Sequence, residues 1–174
     1  MIDTRSKKQV RVDNGDFLNF NPPLITLGDF IPFYFGVKMP MLYVMQNGGN
    51  FVERATPARD IIYLACSLVQ IVELGSLYYF SDGHATDNFT SFYDKNKINE
   101  LPSLIDWNSV KAGYWAGYEN LNIKRKKQAE FLVLNDILPN LIVGFGCYDN
   151  DSKSRLLSMG VEERRIKVIP QSYY

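Results

Sequence analysis

Apolar positions in this chain gather in short runs separated by turn residues. Phe30-Ile31-Pro32-Phe33-Tyr34-Phe35 has strand length, and Pro32, which cannot donate to a ladder, places that strand at a sheet edge or a bulge. Ile61-Ile62-Tyr63-Leu64-Ala65-Cys66, Leu77-Tyr78-Tyr79-Phe80 and Leu141-Ile142-Val143-Gly144-Phe145-Gly146-Cys147-Tyr148 read as further strands. The partly alternating segment 164–170 reads as a last one. Leu68, Ile71, Val72 and Leu74 have helical spacing, with Ser67 placed to cap that helix and Gly75 to end it. Helices are also expected over 40–46 with Pro40 in the first turn, over 85–93, over 107–116 with Asp106 as N-cap, and over 152–159 before Gly160. Phe131-Leu132-Val133-Leu134 fits either strand or helix. Residues 1–29 are polar and turn-rich, with one short strand around Val10-Arg11-Val12. Strands and short helices mix without regular βαβ alternation, which makes the expected fold class α+β.

A length of 174 residues suits one domain, able to bury about two-thirds of its unfolded surface. The 11 Tyr and 11 Phe either fill an aromatic core or line a site for a planar ligand. Nineteen cations balance 19 anions, which excludes a uniformly basic nucleic-acid coat but not local patches. Two patches exist, Arg5-Ser6-Lys7-Lys8 and Lys124-Arg125-Lys126-Lys127, and the plain reading of each is a solvated face. Cys66 and Cys147 lie inside apolar runs, as buried reduced thiols of a cytoplasmic protein would. No apolar run approaches the ~18 residues of a membrane span, so no membrane association is expected. With His84 the only histidine, multi-histidine metal sites are excluded, and no metal is expected.

Gly144-Phe145-Gly146 lacks a third glycine and sits in a strand, so it is a poor dinucleotide fingerprint. Asp82-Gly83-His84 forms a turn, offers His84 to a ligand at a strand end, or gives Asp82 to a metal together with Glu130 as in a nuclease. Glu130 is the only carboxylate between Glu119 and Asp136. It either offsets Lys126 or Lys127 on the surface or, entering an apolar run, stands where water is partly excluded. There it can anchor a ribose hydroxyl, stabilise positive charge or accept a proton.

A set of strings occurs here in one order: Phe33-Tyr34-Phe35 with Pro40-Met41-Leu42-Tyr43, Phe80-Ser81-Asp82-Gly83-His84-Ala85, Asp106-Trp107 with Tyr114-Trp115, Lys126-Lys127-Gln128-Ala129-Glu130-Phe131-Leu132-Val133, and the closing Tyr173-Tyr174. In that order they resemble DarT, the DNA ADP-ribosyltransferase toxin family of DarT–DarG toxin–antitoxin systems, across most of the chain. The resemblance implies a split, mainly antiparallel sheet with helices around an NAD+ cleft. It implies transfer of ADP-ribose from NAD+ to a base of single-stranded DNA, typically thymidine, with nicotinamide released. Glu130 and Arg5 fall on the family's catalytic residues. Tyr34, with Phe33 beside it, falls on the aromatic near nicotinamide, and His84 on the histidine at the site's rim. Lys38, Met41, Trp115, Arg125, Lys126 and Lys127 become candidate DNA contacts, and a macrodomain antitoxin of the DarG type becomes the expected protein partner.

Two departures qualify that picture. The family usually begins with a His-x-Thr segment that grips NAD+, and no second histidine stands here. The expectation is a single ADP-ribosyltransferase-like domain over 1–174 that lacks this NAD-binding segment. Lys38-Met39-Pro40-Met41 also replaces an arginine with lysine before the Pro-Met step, which keeps the charge and loses bidentate geometry. The rival readings are a non-catalytic single-stranded DNA-binding module of the same fold and, more distantly, a metal-dependent nuclease.

Overall fold

The apolar run that starts at Glu130 becomes the middle of a sheet. A computed structural model of the chain describes residues 26–49, 52–134 and 136–174, and every structural statement below concerns those residues. Arg5 and the short strand expected near Val10 lie outside them.

The chain divides into two compact units. The first contains the described residues up to Gly36 together with Ser76–Ile137, and the second contains Val37–Gly75 with Leu138–Tyr174. In the first unit, β1 (Phe30–Tyr34), β3 (Tyr78–Ser81), β4 (Phe92–Tyr93) and β5 (Glu130–Leu134) form an antiparallel sheet in the order β1-β5-β3-β4. β5 is laddered on both sides, and its first four residues are buried. That explains why its sequence is continuously apolar rather than alternating. β1 lies at the edge, where exposed Pro32 leaves no needed donor missing.

Alternation sorts the side chains into two faces. Phe30, Tyr79, Leu132 and Phe92 share one with Leu27 and Ala85 as a buried cluster. On the other, the Phe131 ring stacks on Tyr78 at 5.0 Å between centroids and meets Phe35 edge-on at 6.4 Å. The aromatic load therefore largely serves the core. Helices α3 (Leu101–Leu104), α4 (Trp107–Lys111) and α5 (Leu121–Lys127) complete the unit.

In the second unit, β2 (Tyr63–Cys66) pairs antiparallel with β6 (Ile142–Cys147), which pairs parallel with β7 (Ile166–Val168). Helices α1 (Pro40–Asn47), α2 (Leu68–Glu73) and α6 (Asn150–Ser158) accompany this sheet. Cys147, Leu156 and Ile166 form its core. The fold is α+β with a split, mainly antiparallel sheet, as expected.

Three expectations need correction. Segment 85–93 is not a helix. Phe89 N–H bonds Asp87 Oδ1 at 2.9 Å, Thr90 Oγ1 bonds the His84 carbonyl at 2.8 Å, and Phe92 and Tyr93 pair with Ser81 and Phe80. Polar side chains here bond the backbone locally and so compete with the helical ladder. The helix expected over 107–116 stops at Lys111, where Ala112 turns to extended backbone ahead of Gly113. Cys66 is only half-buried, next to a bulge in β2, whereas Cys147 is buried, and both thiols are free. Burial pushes both above the ordinary cysteine range.

Candidate active site

Glu130 opens β5 on the same face as Leu132, and its exposure is 0 %. Its direct cross-strand neighbour on β1 is Tyr34, which brings their Cβ atoms to about 5 Å. On the other side stands Ser81 at the end of β3. Its wholly buried hydroxyl accepts the Glu130 N–H at 3.1 Å and donates to the Gly83 carbonyl at 2.7 Å. One serine thus ties the start of β5 to the turn that carries His84.

Two donors converge on one oxygen of the carboxylate. His84 Nδ1 lies 3.0 Å from Glu130 Oε1, and the Ala85 N–H reaches the same atom at 3.1 Å. An ionised carboxylate only accepts, so with Glu130 charged His84 Nδ1 is the donor in this contact. The arrangement is a buried carboxylate held in one orientation beside a tyrosine and a histidine, suited to stabilising positive charge or gripping a hydroxyl. Phe33, the other aromatic expected at the cofactor, faces the opposite side of the sheet, across from Phe131. That removes it from Glu130's face.

The basic run forms the last turn of α5, and each cation has a partner within the first unit. Lys124 Nζ lies over the Trp115 ring at 5.3 Å. Arg125 Nη1 pairs with Asp82 at 3.0 Å. Lys126 Nζ pairs at 3.0 Å with Asp106, whose carboxylate caps α4 through the Ser109 N–H. Lys127 is 2 % exposed and its Nζ donates to the Val110 carbonyl at the other end of α4, at 3.0 Å. The two lysines thus brace the two ends of one short helix. As an open contact to DNA, Lys127 is ruled out by burial, and Arg125, with a side chain only 11 % exposed, is turned inward. Trp115 is half-buried under Lys124, so it is no bare stacking platform either.

Lys38 and Met41 belong to the second unit. Lys38 has φ 54°, a left-handed conformation uncommon for a side-chain-bearing residue. Its N–H donates to the Tyr63 hydroxyl at 3.3 Å, its carbonyl accepts the Tyr174 hydroxyl, and its ammonium lies 5.8 Å from the Tyr174 ring centroid. Met41 is half-exposed in the first turn of α1.

Ser81, the Ala85 N–H and Thr90 act through partners brought together by folding, so no local signal marks their roles. Asp82, a metal ligand in the nuclease reading, instead serves the turn, its Oδ1 accepting from Arg125 and from the Ser91 N–H at 3.0 Å. Among the described residues, no three His, Cys, Asp or Glu side chains gather as a metal site, and no helix is long and apolar enough to cross a membrane.

A family model described as "ssDNA thymidine ADP-ribosyltransferase, DarT" matches residues 2–174. A DNA ADP-ribosyl transferase of Thermus aquaticus is 33% identical over 134 residues, 76% of this chain and 55% of that protein. The chain thus spans little more than half the length of that relative. The solved Thermus sp. 2.9 DarT in complex with ADP-ribosylated ssDNA superimposes with a TM-score of 0.81 at 27% identity, covering 98% of this chain and 77% of the other. The same protein in complex with NAD+ gives 0.77 at 28% identity, covering 88% and 77%. By its match to the family model over nearly its whole length, the chain belongs to the DarT family of ssDNA thymidine ADP-ribosyltransferases.

Proposed function

We propose that this chain transfers ADP-ribose from NAD+ to a thymidine base in single-stranded DNA and releases nicotinamide, acting as one ADP-ribosyltransferase domain of a toxin. The observation that carries this reading is Glu130: wholly buried, one oxygen held by His84 and the Ala85 N–H, with Tyr34 directly across the strand pair. The Thermus sp. 2.9 complexes with NAD+ and with ADP-ribosylated ssDNA support the donor and the acceptor.

NAD+ supplies a ribosyl carbon bearing a cationic leaving group. Glu130 faces that carbon's developing positive charge and grips a ribose hydroxyl, in a site where low dielectric makes a fixed carboxylate effective. His84 and Ala85 keep the carboxylate oriented, and Tyr34 packs against the nicotinamide end. As the bond to nicotinamide breaks, the base's ring nitrogen bonds the ribosyl carbon and its proton passes to water, while Arg5, a cation at any working pH, holds phosphate or stabilises negative charge developing on the base. Lys38, Met41, Lys126 and Trp115 remain candidate DNA contacts, while Phe89, Tyr114 and Tyr118 offer the more open rings for stacking. A DarG-type macrodomain protein is the proposed antitoxin, and the cytoplasm, which holds both NAD+ and DNA, is the proposed compartment.

The test is a mass measurement. Chain plus NAD+ should add one ADP-ribose to a thymidine-containing oligonucleotide, and Glu130→Gln should reduce the product at least about 100-fold with the fold intact. Equal product from both proteins would remove Glu130 from the chemistry. Salt-dependent DNA binding without any NAD+ binding would favour the non-catalytic module instead.

A further inference from the structure

Segment 82–91 carries both groups that orient Glu130, yet little of it is anchored by apolar contacts. Ala85 is its one residue in the buried cluster. A polar clamp does the rest, and Arg125 is its centre. Nη1 donates to Asp82 Oδ1 at 3.0 Å and Thr90 Oγ1 at 3.3 Å, while Nε and Nη2 reach Asn122 Oδ1 at 3.4 and 3.3 Å. The Arg125 carbonyl accepts the His84 N–H at 2.9 Å. Both ends of the segment are therefore held by one residue, through its side chain and its backbone. Gly83 makes the approach possible, because a Cβ there would stand 2.5 Å from Arg125 Nη1.

We propose that Arg125 is a positioning residue for the Glu130 carboxylate. Through Asp82, Thr90 and the His84 backbone it holds the His84 imidazole and the Ala85 N–H on Oε1, and it does not serve as a DNA-phosphate contact. A guanidinium already donating to Asp82, Thr90 and Asn122 has little of its fork left for a phosphate. Two donors on one oxygen need placement within a fraction of an ångström, which a supporting layer of hydrogen bonds supplies. The proposal rests on the functional reading above.

The test compares wild type with Arg125→Ala, Arg125→Lys, Asp82→Asn and the Arg125→Ala/Asp82→Asn double variant, each checked for fold by circular dichroism. Arg125→Ala and Asp82→Asn should each lower kcat about 10- to 100-fold. KM for the oligonucleotide and its salt dependence should stay at wild-type values, the double variant should be no worse than either single one, and Arg125→Lys should recover part of kcat. A raised oligonucleotide KM with a shallower salt slope, and a silent Asp82→Asn, would overturn the proposal in favour of a DNA contact. A second readout is independent of activity. His84 is the only histidine, so its imidazole gives one set of NMR resonances. Glu130→Gln should displace them at fixed pH in the wild-type background and leave them unmoved in the Arg125→Ala background. Equal displacement in both backgrounds refutes the clamp. If wild type transfers no ADP-ribose, the functional reading fails while the resonances still decide the clamp. Should Arg125→Ala not fold, Asp82→Asn serves as the background.

Discussion

Lys127 and Lys126 are adjacent, equally charged, and differently used. Lys127 is buried with its ammonium on the Val110 carbonyl, whereas the Lys126 side chain is 31 % exposed in its pair with Asp106. Lys127→Ala removes a buried stem and strands a helix-end carbonyl, so it should cost about 2–3 kcal/mol. Lys126→Ala loses a partly exposed ion pair, at most about 1 kcal/mol. Urea denaturation of the two variants measures the contrast. Ser81→Ala belongs to the same scale. It deprives the Glu130 N–H of its acceptor inside the core, and an unfolding free energy lower by about 1–3 kcal/mol is expected, together with reduced transfer to DNA. A Ser81→Ala protein with wild-type stability would contradict the role drawn from its hydrogen bonds.

Among the elements, α4 shows how capping decides pH behaviour. The Ser109 N–H, and after it Lys126, hold the Asp106 carboxyl below its ordinary range, and the Ser152 N–H does the same for Asp149 at the start of α6. The fold thus favours the charged forms. Their contribution is full above about pH 4, the ordinary carboxylate value, and is lost as pH falls through the lowered folded-state pKa values. Thermal melts should show Tm dropping below about pH 4, with a smaller acid-dependent drop in Asp106→Ala, which also loses about 1 kcal/mol of cap. Caps of this kind were legible. Ser67, Asp106 and Gly75 act where they were placed, because a cap depends on residues within one turn. Segment 85–93 was not legible, since Phe92 and Tyr93 are drawn into the sheet by Ser81 and Phe80, across a turn whose geometry Arg125 sets.

At the scale of the whole molecule, Arg125 and Lys127 of the basic run are turned to partners inside the first unit, so among the described residues contact to nucleic acid falls to other cations. The salt dependence of binding to a thymidine oligonucleotide counts the phosphates those other cations engage. The expected slope of log K against log salt is about −0.7 for each phosphate engaged, and it should become shallower in Lys38→Ala but not in Lys127→Met. The geometry at Lys38 makes a companion prediction. Tyr174→Phe removes the hydroxyl that fixes the Lys38 carbonyl, so it should weaken oligonucleotide binding while sparing NAD+ binding, as titration calorimetry would show. The order of apolar runs and turns was enough to specify β1, β2, β3, β6 and β7 and the α+β class, whereas 131–134 fitted strand or helix until pairing on both sides made it β5, and β4 lay in a segment read as a helix. Family membership was equally readable from ordered short strings. The partners of the cations and of Glu130 were not. Arg125 meets Asp82 across 43 residues, Lys126 meets Asp106 across 20, and His84 meets Glu130 across 46. Local pattern carries no information about such pairs, since they form only when separate strands and helices pack. Packing turned a basic run that looked like a DNA grip into a brace for α4 and a clamp for the turn that orients Glu130.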